Sequence, residues 1–167
     1  MAQAMPKPGL RPFLPADGPI LAEIFRASIH ELTGEDYSEG QQEAWASAAD
    51  DEEAWSHRLA GSLTLVATVG GSPIGFIALK GKEMVDLLYV HPAVAGQGVA
   101  AMLYNAVEQL AKARGVTALT VDASDTARDF FQKQGFSAER RNTVTLGDEW
   151  LGNTTMKKTL VAPGAAS

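Results

Sequence analysis

Val85-Asp86-Leu87-Leu88-Tyr89-Val90, followed by His91-Pro92-Ala93-Val94 and then Ala95-Gly96-Gln97-Gly98-Val99-Ala100-Ala101, is the stretch on which the fold turns. The first six residues read as a hydrophobic strand. The small-residue run opens a helix whose apolar positions Val99, Met102, Leu103, Ala106, Val107 and Leu110 recur at three- and four-residue steps. A strand, a glycine turn and a helix N-terminus in that order make an anion site. The first amides of a helix have no intrahelical partner, and the helix dipole places partial positive charge there. Glycine lets a phosphate approach the backbone because no side chain intervenes. The same residues also suit an ordinary tight strand-to-helix connection.

The chain around this stretch has 167 residues, enough for one domain with a sizeable core. With 14 basic against 20 acidic residues, a net charge of −6 argues against nucleic acid as the main partner. A local patch of amides can still bind a phosphorylated cofactor on an acidic protein. The absence of cysteine removes disulfides and thiolate catalysis and suits the cytoplasm. No apolar run approaches the roughly 18 residues of a membrane span, so no membrane partner is expected. His30, His57 and His91 are scattered without metal-ligand spacing, so no metal is expected.

Working outward, Leu10–Leu14 reads as a short strand, and Asp17 before Gly18-Pro19 as the N-cap of a helix carrying Ile20, Leu21, Ile24, Phe25 and Ile29. Ser38-Glu39-Gly40-Gln41 has capping-box spacing and opens a second short helix with Trp45. Asp50 to Glu53 opens a third, carrying Trp55 and Leu59. Leu63–Val69 and Ile74–Lys80 form a hairpin, and Leu119–Ala123 returns parallel to the Val85–Val90 strand through the long helix. Ser124 or Asp125 caps a helix reaching about Gln134, and Gly135 stops it. Two last strands, about Ser137–Leu146 and Asn153–Leu160, flank a loop holding Gly147 to Trp150. The expected fold is a single-domain α/β structure. Its sheet is mixed and mostly antiparallel, with helices on both faces and one parallel strand pair at the cleft. Residues 10–160 form the domain, 1–9 a flexible lead and 161–167 a flexible tail.

This order and its motifs resemble the GNAT superfamily of acyl-CoA-dependent N-acyltransferases. The resemblance rests on Leu88 to Pro92 followed by Gly96-Gln97-Gly98-Val99-Ala100, and on Val121-Asp122-Ala123-Ser124 through Phe130-Phe131 to Gly135-Phe136. Gly98 and Ala100 occupy the last two marked positions of the family's phosphate-turn pattern. Ala95 stands where the family carries Gln or Arg. Ser124 stands for the usual Asn, and Phe131 for a Tyr that in many relatives protonates the departing thiolate. Tyr37-Ser38, Gln41 and Ala44-Trp45 are similar to a stretch found in a bacterial subgroup.

The resemblance implies an acetyltransferase that moves an acetyl group from acetyl-CoA, its cosubstrate, to a primary amine by direct attack. The amine belongs to a small molecule or a protein. The amides of Gly96, Gln97, Gly98, Val99, Ala100 and Ala101 would hold the CoA pyrophosphate, with Ser124 and Phe131 also at the cofactor. The backbone of Leu88, Tyr89 and Val90 lies along the pantetheine arm, with Leu88 and Val90 pairing with it. The Leu88 amide would polarise the thioester carbonyl. Asp86 and Glu83 are candidate bases for an amine that must lose a proton, Asp86 being two residues from Leu88 and so on its strand face. Tyr37 is a candidate replacement acid, and Trp45, Trp55 and Trp150 are available to line the acceptor side. Homodimers are common in similar families.

Two rivals stand beside this reading. One is a non-catalytic acyl-CoA-binding sensor or partner module on the same fold, motivated by Phe131 and Ala95. The other is a dinucleotide-dependent oxidoreductase, since Gly96-x-Gly98-x-x-Ala101 with Asp122 approaches the dinucleotide fingerprint. Against the latter, the motif follows an antiparallel hairpin and no further βαβ unit comes after Asp122.

Overall fold

The computed structural model describes residues 6–160. The sheet has seven strands: β1 Gly9–Pro12, β2 Leu63–Val69, β3 Ser72–Lys80, β4 Met84–Val90, β5 Ala118–Ser124, β6 Ser137–Leu146 and β7 Glu149–Thr159. Their spatial order is β1-β2-β3-β4-β5-β7-β6, and only β4 and β5 run parallel. Among the described residues the α-helices are α1 Gly18–Leu32, α2 Glu39–Ala46, α3 Glu52–Ala60, α4 Val99–Ala113 and α5 Arg128–Lys133. The expected mixed sheet, covered on both faces, is the observed one.

Strand alternation divides the core. Val66, Phe76 and Ala78 point toward α1 and α3, where Leu21, Ile24, Phe25, Ile29, Trp55 and Leu59 bury one face. Ala67, Ile77 and Leu79 point the other way, toward Leu103, Tyr104, Val107 and Ala111 of α4 and Phe131 of α5. Each large side chain fully buried in these layers contributes about 1.5–3 kcal/mol.

Several local expectations hold in detail. Ser38 and Gln41 form a reciprocal capping box, with the Gln41 amide donating to Ser38 Oγ (3.2 Å) and the Ser38 amide to Gln41 Oε1 (2.8 Å). Asp51 accepts from the Ala54 amide and starts α3. Others are corrected. Asp17 makes no cap bond to α1; its carboxylate instead takes both arms of Arg11 (2.7 and 2.8 Å) and the Leu14 amide. A fork–fork pair to a buried carboxylate outcompetes a cap bond. Helix α5 begins only at Arg128, because Ser124 Oγ is used by the Ala127 amide in the preceding turn. Strand β7 starts at Glu149, leaving Gly147-Asp148 as a tight turn, so Trp150 is a strand residue and 70% exposed. The first strand takes in Gly9, which sequence had assigned to the lead. The remainder of the proposed lead and the tail lie largely in residues 1–5 and 161–167, outside the described residues.

Candidate active site

The site begins where β4 and β5 part. Their parallel pairing covers only Met84–Thr120 and Val85–Val121, yet β4 continues to Val90 and β5 to Ser124. The gap opens into a cleft of about 430 Å3. Backbone alternation determines what faces the gap. The His91 amide donates to the Ile74 carbonyl (2.8 Å), and the pairs Gly75–Val90, Phe76–Tyr89 and Ile77–Leu88 follow in register. In an antiparallel ladder hydrogen-bonded and non-bonded pairs alternate. Tyr89 therefore bonds to β3, whereas Leu88 and Val90 turn their N–H and C=O groups toward the gap.

At Asp86 the register slips: Ala78 pairs with Leu87 and Leu79 with Val85, which leaves Asp86 as the extra residue of a β-bulge. The bulge corrects the expectation that Asp86 and Leu88 share a face. Val85 and Leu88 both pack toward α4, and Leu87 packs toward α1. Asp86 reaches to α3, where Arg58 Nε and Nη2 bond to its two oxygens at 2.8 and 3.0 Å. The Asp86 bond raises the Arg58 pKa against the opposing effect of burial, so the guanidinium stays charged. Both residues line the cleft, whereas Glu83 is an exposed turn residue outside it.

The turn before α4 has the predicted form. His91 Nδ1 accepts from the Ala93 amide (3.0 Å), capping a single turn over Pro92–Val94. Gly96 and Gly98 follow at φ +77° and +85°, values that L side chains rarely adopt. A Cβ at either would meet nothing within 4 Å, so both backbones border open space. Helix α4 makes its first bond from Met102 to the Gly98 carbonyl. The amides of Gly96, Gly98, Val99, Ala100 and Ala101 consequently have no partner among the described residues. The Gln97 amide is an exception to the expected set, since it turns back to the Val94 carbonyl at 3.3 Å. Five free amides beside open space at a helix N-terminus fit a pyrophosphate.

Beyond Ser124 the cleft is walled by residues far apart in sequence. The Tyr37 hydroxyl donates to the Gly152 carbonyl (2.7 Å) and accepts from the Asp125 amide (2.9 Å), and burial raises its pKa. Its proton is already engaged, so Tyr37 is a latch joining the α1–α2 connection to β5 and β7. Arg141 grips Asp125 through both nitrogens and lies where a Cβ at Gly152 would collide. Phe131 lines the cleft and packs on Tyr104, Phe130 and Phe136. The Tyr104 hydroxyl donates to Glu108 (3.0 Å) in the buried face of α4 and does not replace the missing phenol. Trp45 lines the cleft, Trp55 is core, and Trp150 points into solvent. Tyr89 also presents its half-buried ring to the cleft, where burial pushes its pKa well up and keeps the hydroxyl protonated.

Parted parallel strands beside a turn of free amides are the arrangement expected of an acyl-CoA cleft. Residues 33–160 match the model of the acetyltransferase (GNAT) domain. The chain belongs to the GNAT family of acetyltransferases. It is 34% identical to the uncharacterized N-acetyltransferase YafP of Escherichia coli K12 over 148 residues, 89% of this chain and 93% of that protein. A GCN5-related N-acetyltransferase of Rhodopseudomonas palustris, known also as an "Aminotransferase, Class-II", is 56% identical. It superposes with a TM-score of 0.91 over 96% of this chain and all of that one. The PaiA N-acetyltransferase of Thermoplasma acidophilum, solved with coenzyme A, shares the fold at 21% identity and TM-score 0.76, covering 92% and 99% of the two chains. This GNAT protein is thus an acyl-CoA-dependent acetyltransferase. Among the described residues, no helix is long and apolar enough to cross a membrane.

Sequence reasoning missed Arg58, Arg141 and the β6–β7 wall of Val144, Leu146, Leu151 and Gly152. Only the alternation Val144-x-Leu146 hinted that β6 presents an apolar face. Arg58 looked like any solvated residue of an amphipathic helix.

Proposed function

We propose that this acetyltransferase moves an acetyl group from acetyl-CoA directly to a primary amine in the cleft between β4 and β5. The observation that carries the reading is the combination of five free amides at the α4 turn with the Leu88 and Val90 backbone facing the gap. The α4 amides hold the pyrophosphate. Val90 and Leu88 align the pantetheine arm as a false strand, and the Leu88 N–H meets the thioester oxygen where negative charge grows during attack. Acetyl-CoA supplies an activated acyl carbon at that point. Orientation of both reactants in one cleft supplies much of the acceleration.

Asp86 is the carboxylate of β4 at the cleft, and in this reading it takes the proton of the incoming ammonium. Arg58 holds that carboxylate in position through two hydrogen bonds. The C–N bond forms as the C–S bond breaks, and the second nitrogen proton passes to the departing sulfur, directly or through water. No tyrosine is needed for that transfer, which accommodates Phe131. Ser124 and Phe131 line the thioester end, Phe131 as an apolar wall.

Thermal unfolding with acetyl-CoA, CoA, NAD and NADP tests the reading. A ligand at 100-fold excess over its dissociation constant stabilises by about 2.7 kcal/mol. Stabilisation by acetyl-CoA and CoA, with CoA released when an amine is added, is the expected result. Stabilisation without any turnover would favour the sensor module, and stabilisation by dinucleotides alone would refute both.

A further inference from the structure

The acceptor half of the cleft carries a chemistry of its own. Phe25 of α1, Tyr89 of β4, Trp45 of α2 and Tyr37 of the α1–α2 connection all line it. Their rings form a continuous run, with centroids 4.7 Å apart for Phe25–Tyr89, 6.3 Å for Tyr89–Trp45 and 5.3 Å for Trp45–Tyr37. Trp45 and Tyr89 are only partly covered by the chain's own packing, so both retain surface for a ligand. Across from the run stand Val144, Leu146 and Leu151 of β6 and β7.

Among the described residues, the one cation of this wall is already paired. The charged side chains lining the cleft are Arg58, Asp86 and Asp122. Arg58 and Asp86 hold each other, and Asp122 accepts from the Thr155 hydroxyl at 2.6 Å. Among the described residues lining the cleft, no free cation awaits an acceptor carboxylate. Burying an unmatched charge here would cost several-fold to many-fold in affinity.

The mouth is tied shut on the side an extended chain would use. Tyr37 bonds to the Gly152 carbonyl and Gln41 Nε2 to the Trp150 carbonyl (2.7 Å each), joining the α2 region to β7. Asp36 accepts from Thr126 (2.7 Å), joining the same connection to the end of β5. A peptide laid between α2 and the β6–β7 hairpin would have to break these bonds. A compact molecule need not. The 430 Å3 cleft has room for the end of the thioester arm and one ring, given that a cavity of about 150 Å3 accepts benzene.

We infer that the acceptor is a compact aromatic primary amine without a carboxylate, seated against the Trp45 and Tyr89 rings with its amino group toward Asp86 and the Leu88 amide. The inference rests on the acetyltransferase reading above. It names Trp45 as a specificity-determining residue. The test uses the full chain with saturating acetyl-CoA, reading CoA release and product mass. The amines are phenethylamine, tryptamine, cyclohexylethylamine, phenylalanine, spermidine and a lysine-containing peptide. Phenethylamine and tryptamine should have the highest kcat/KM.

Trp45→Leu keeps an apolar side chain but removes the ring. It should raise KM for phenethylamine roughly three- to tenfold, the worth of one aromatic contact. Cyclohexylethylamine and acetyl-CoA affinity should change little. The exposed Trp150→Ala should alter none of these. Preference for spermidine, phenylalanine or the peptide would overturn the inference, as would equal loss for the aryl and cyclohexyl amines in Trp45→Leu. If acetyl-CoA stabilises the protein but neither aryl amine is acetylated, this inference falls alone. If acetyl-CoA does not bind, the acetyltransferase reading falls with it.

Discussion

Replacing Gly98 by valine separates backbone strain from ligand contact. Gly98 is the residue before α4 and sits at φ +85°. An L residue there costs about 1–2 kcal/mol, with β-branched residues at the upper end. No atom lies within 4 Å of the added Cβ, so the cost is conformational rather than a clash. The strain is relieved by rotating the peptide to negative φ. That rotation turns the Gly98 and Val99 amides away from the anion they would bind. Each hydrogen bond to a charged group is worth about 1.5–3 kcal/mol, so losing one should weaken CoA binding roughly tenfold to 150-fold.

Gly71, at φ +83° in the β2–β3 turn and likewise without neighbours within 4 Å, supplies the control. Gly71→Val carries the same strain far from the turn. Both variants should lower Tm by about 2–4 °C per kcal/mol. Only Gly98→Val should lose CoA affinity in titration calorimetry. Equal CoA affinity in the two variants would show that the α4 turn does not hold the pyrophosphate.

Three further outcomes are expected. Tyr37→Phe removes one donated and one accepted hydrogen bond, and should lower stability by about 1–3 kcal/mol while CoA affinity stays within a few-fold; a far larger fall in kcat at every pH, with unchanged stability, would make the phenol an acid rather than a latch. Asp86→Asn should cut kcat/KM about 10²-fold or more for alkylamines of pKa near 10.4, and much less for amines already neutral at the assay pH; an equal defect for both would remove Asp86 as the proton acceptor. Arg11 holds the Asp17 carboxyl below its ordinary pKa, against the raising effect of burial and with help from the Leu14 amide. The resulting stability is present above the unfolded carboxyl pKa of about 3.9 and is lost as pH falls through the lower folded value. Asp17→Asn should therefore destabilise by about 1–3 kcal/mol at neutral pH, and the gap to the parent protein should close in acid; a gap independent of pH would assign the loss to packing.

What was legible in the chain was local. The period of α4, the glycine turn before it and the Ser38–Gln41 capping box are set by bonds and side chains within a few residues of one another. The strand–turn–helix order around Gly98 therefore announced both the fold and the glycine turn that opens α4. Asp17 shows the limit even at short range, since a cap position six residues from Arg11 was taken by an ion pair instead.

The acceptor side was not legible. Residues from α1, α2, α3, β4 and the β6–β7 hairpin meet there because two core layers close on a twisted sheet, and no periodicity records which residues end up opposite each other. One extra residue in β4, visible only once β3 paired with it, sent Asp86 toward Arg58 and left Leu88 facing α4. Sequence determined that the chain would make a glycine turn with free amides at the start of α4. Tertiary structure alone decided what stands across from it, because that choice is made by register and packing between segments more than 100 residues apart, as in the Tyr37–Gly152 bond.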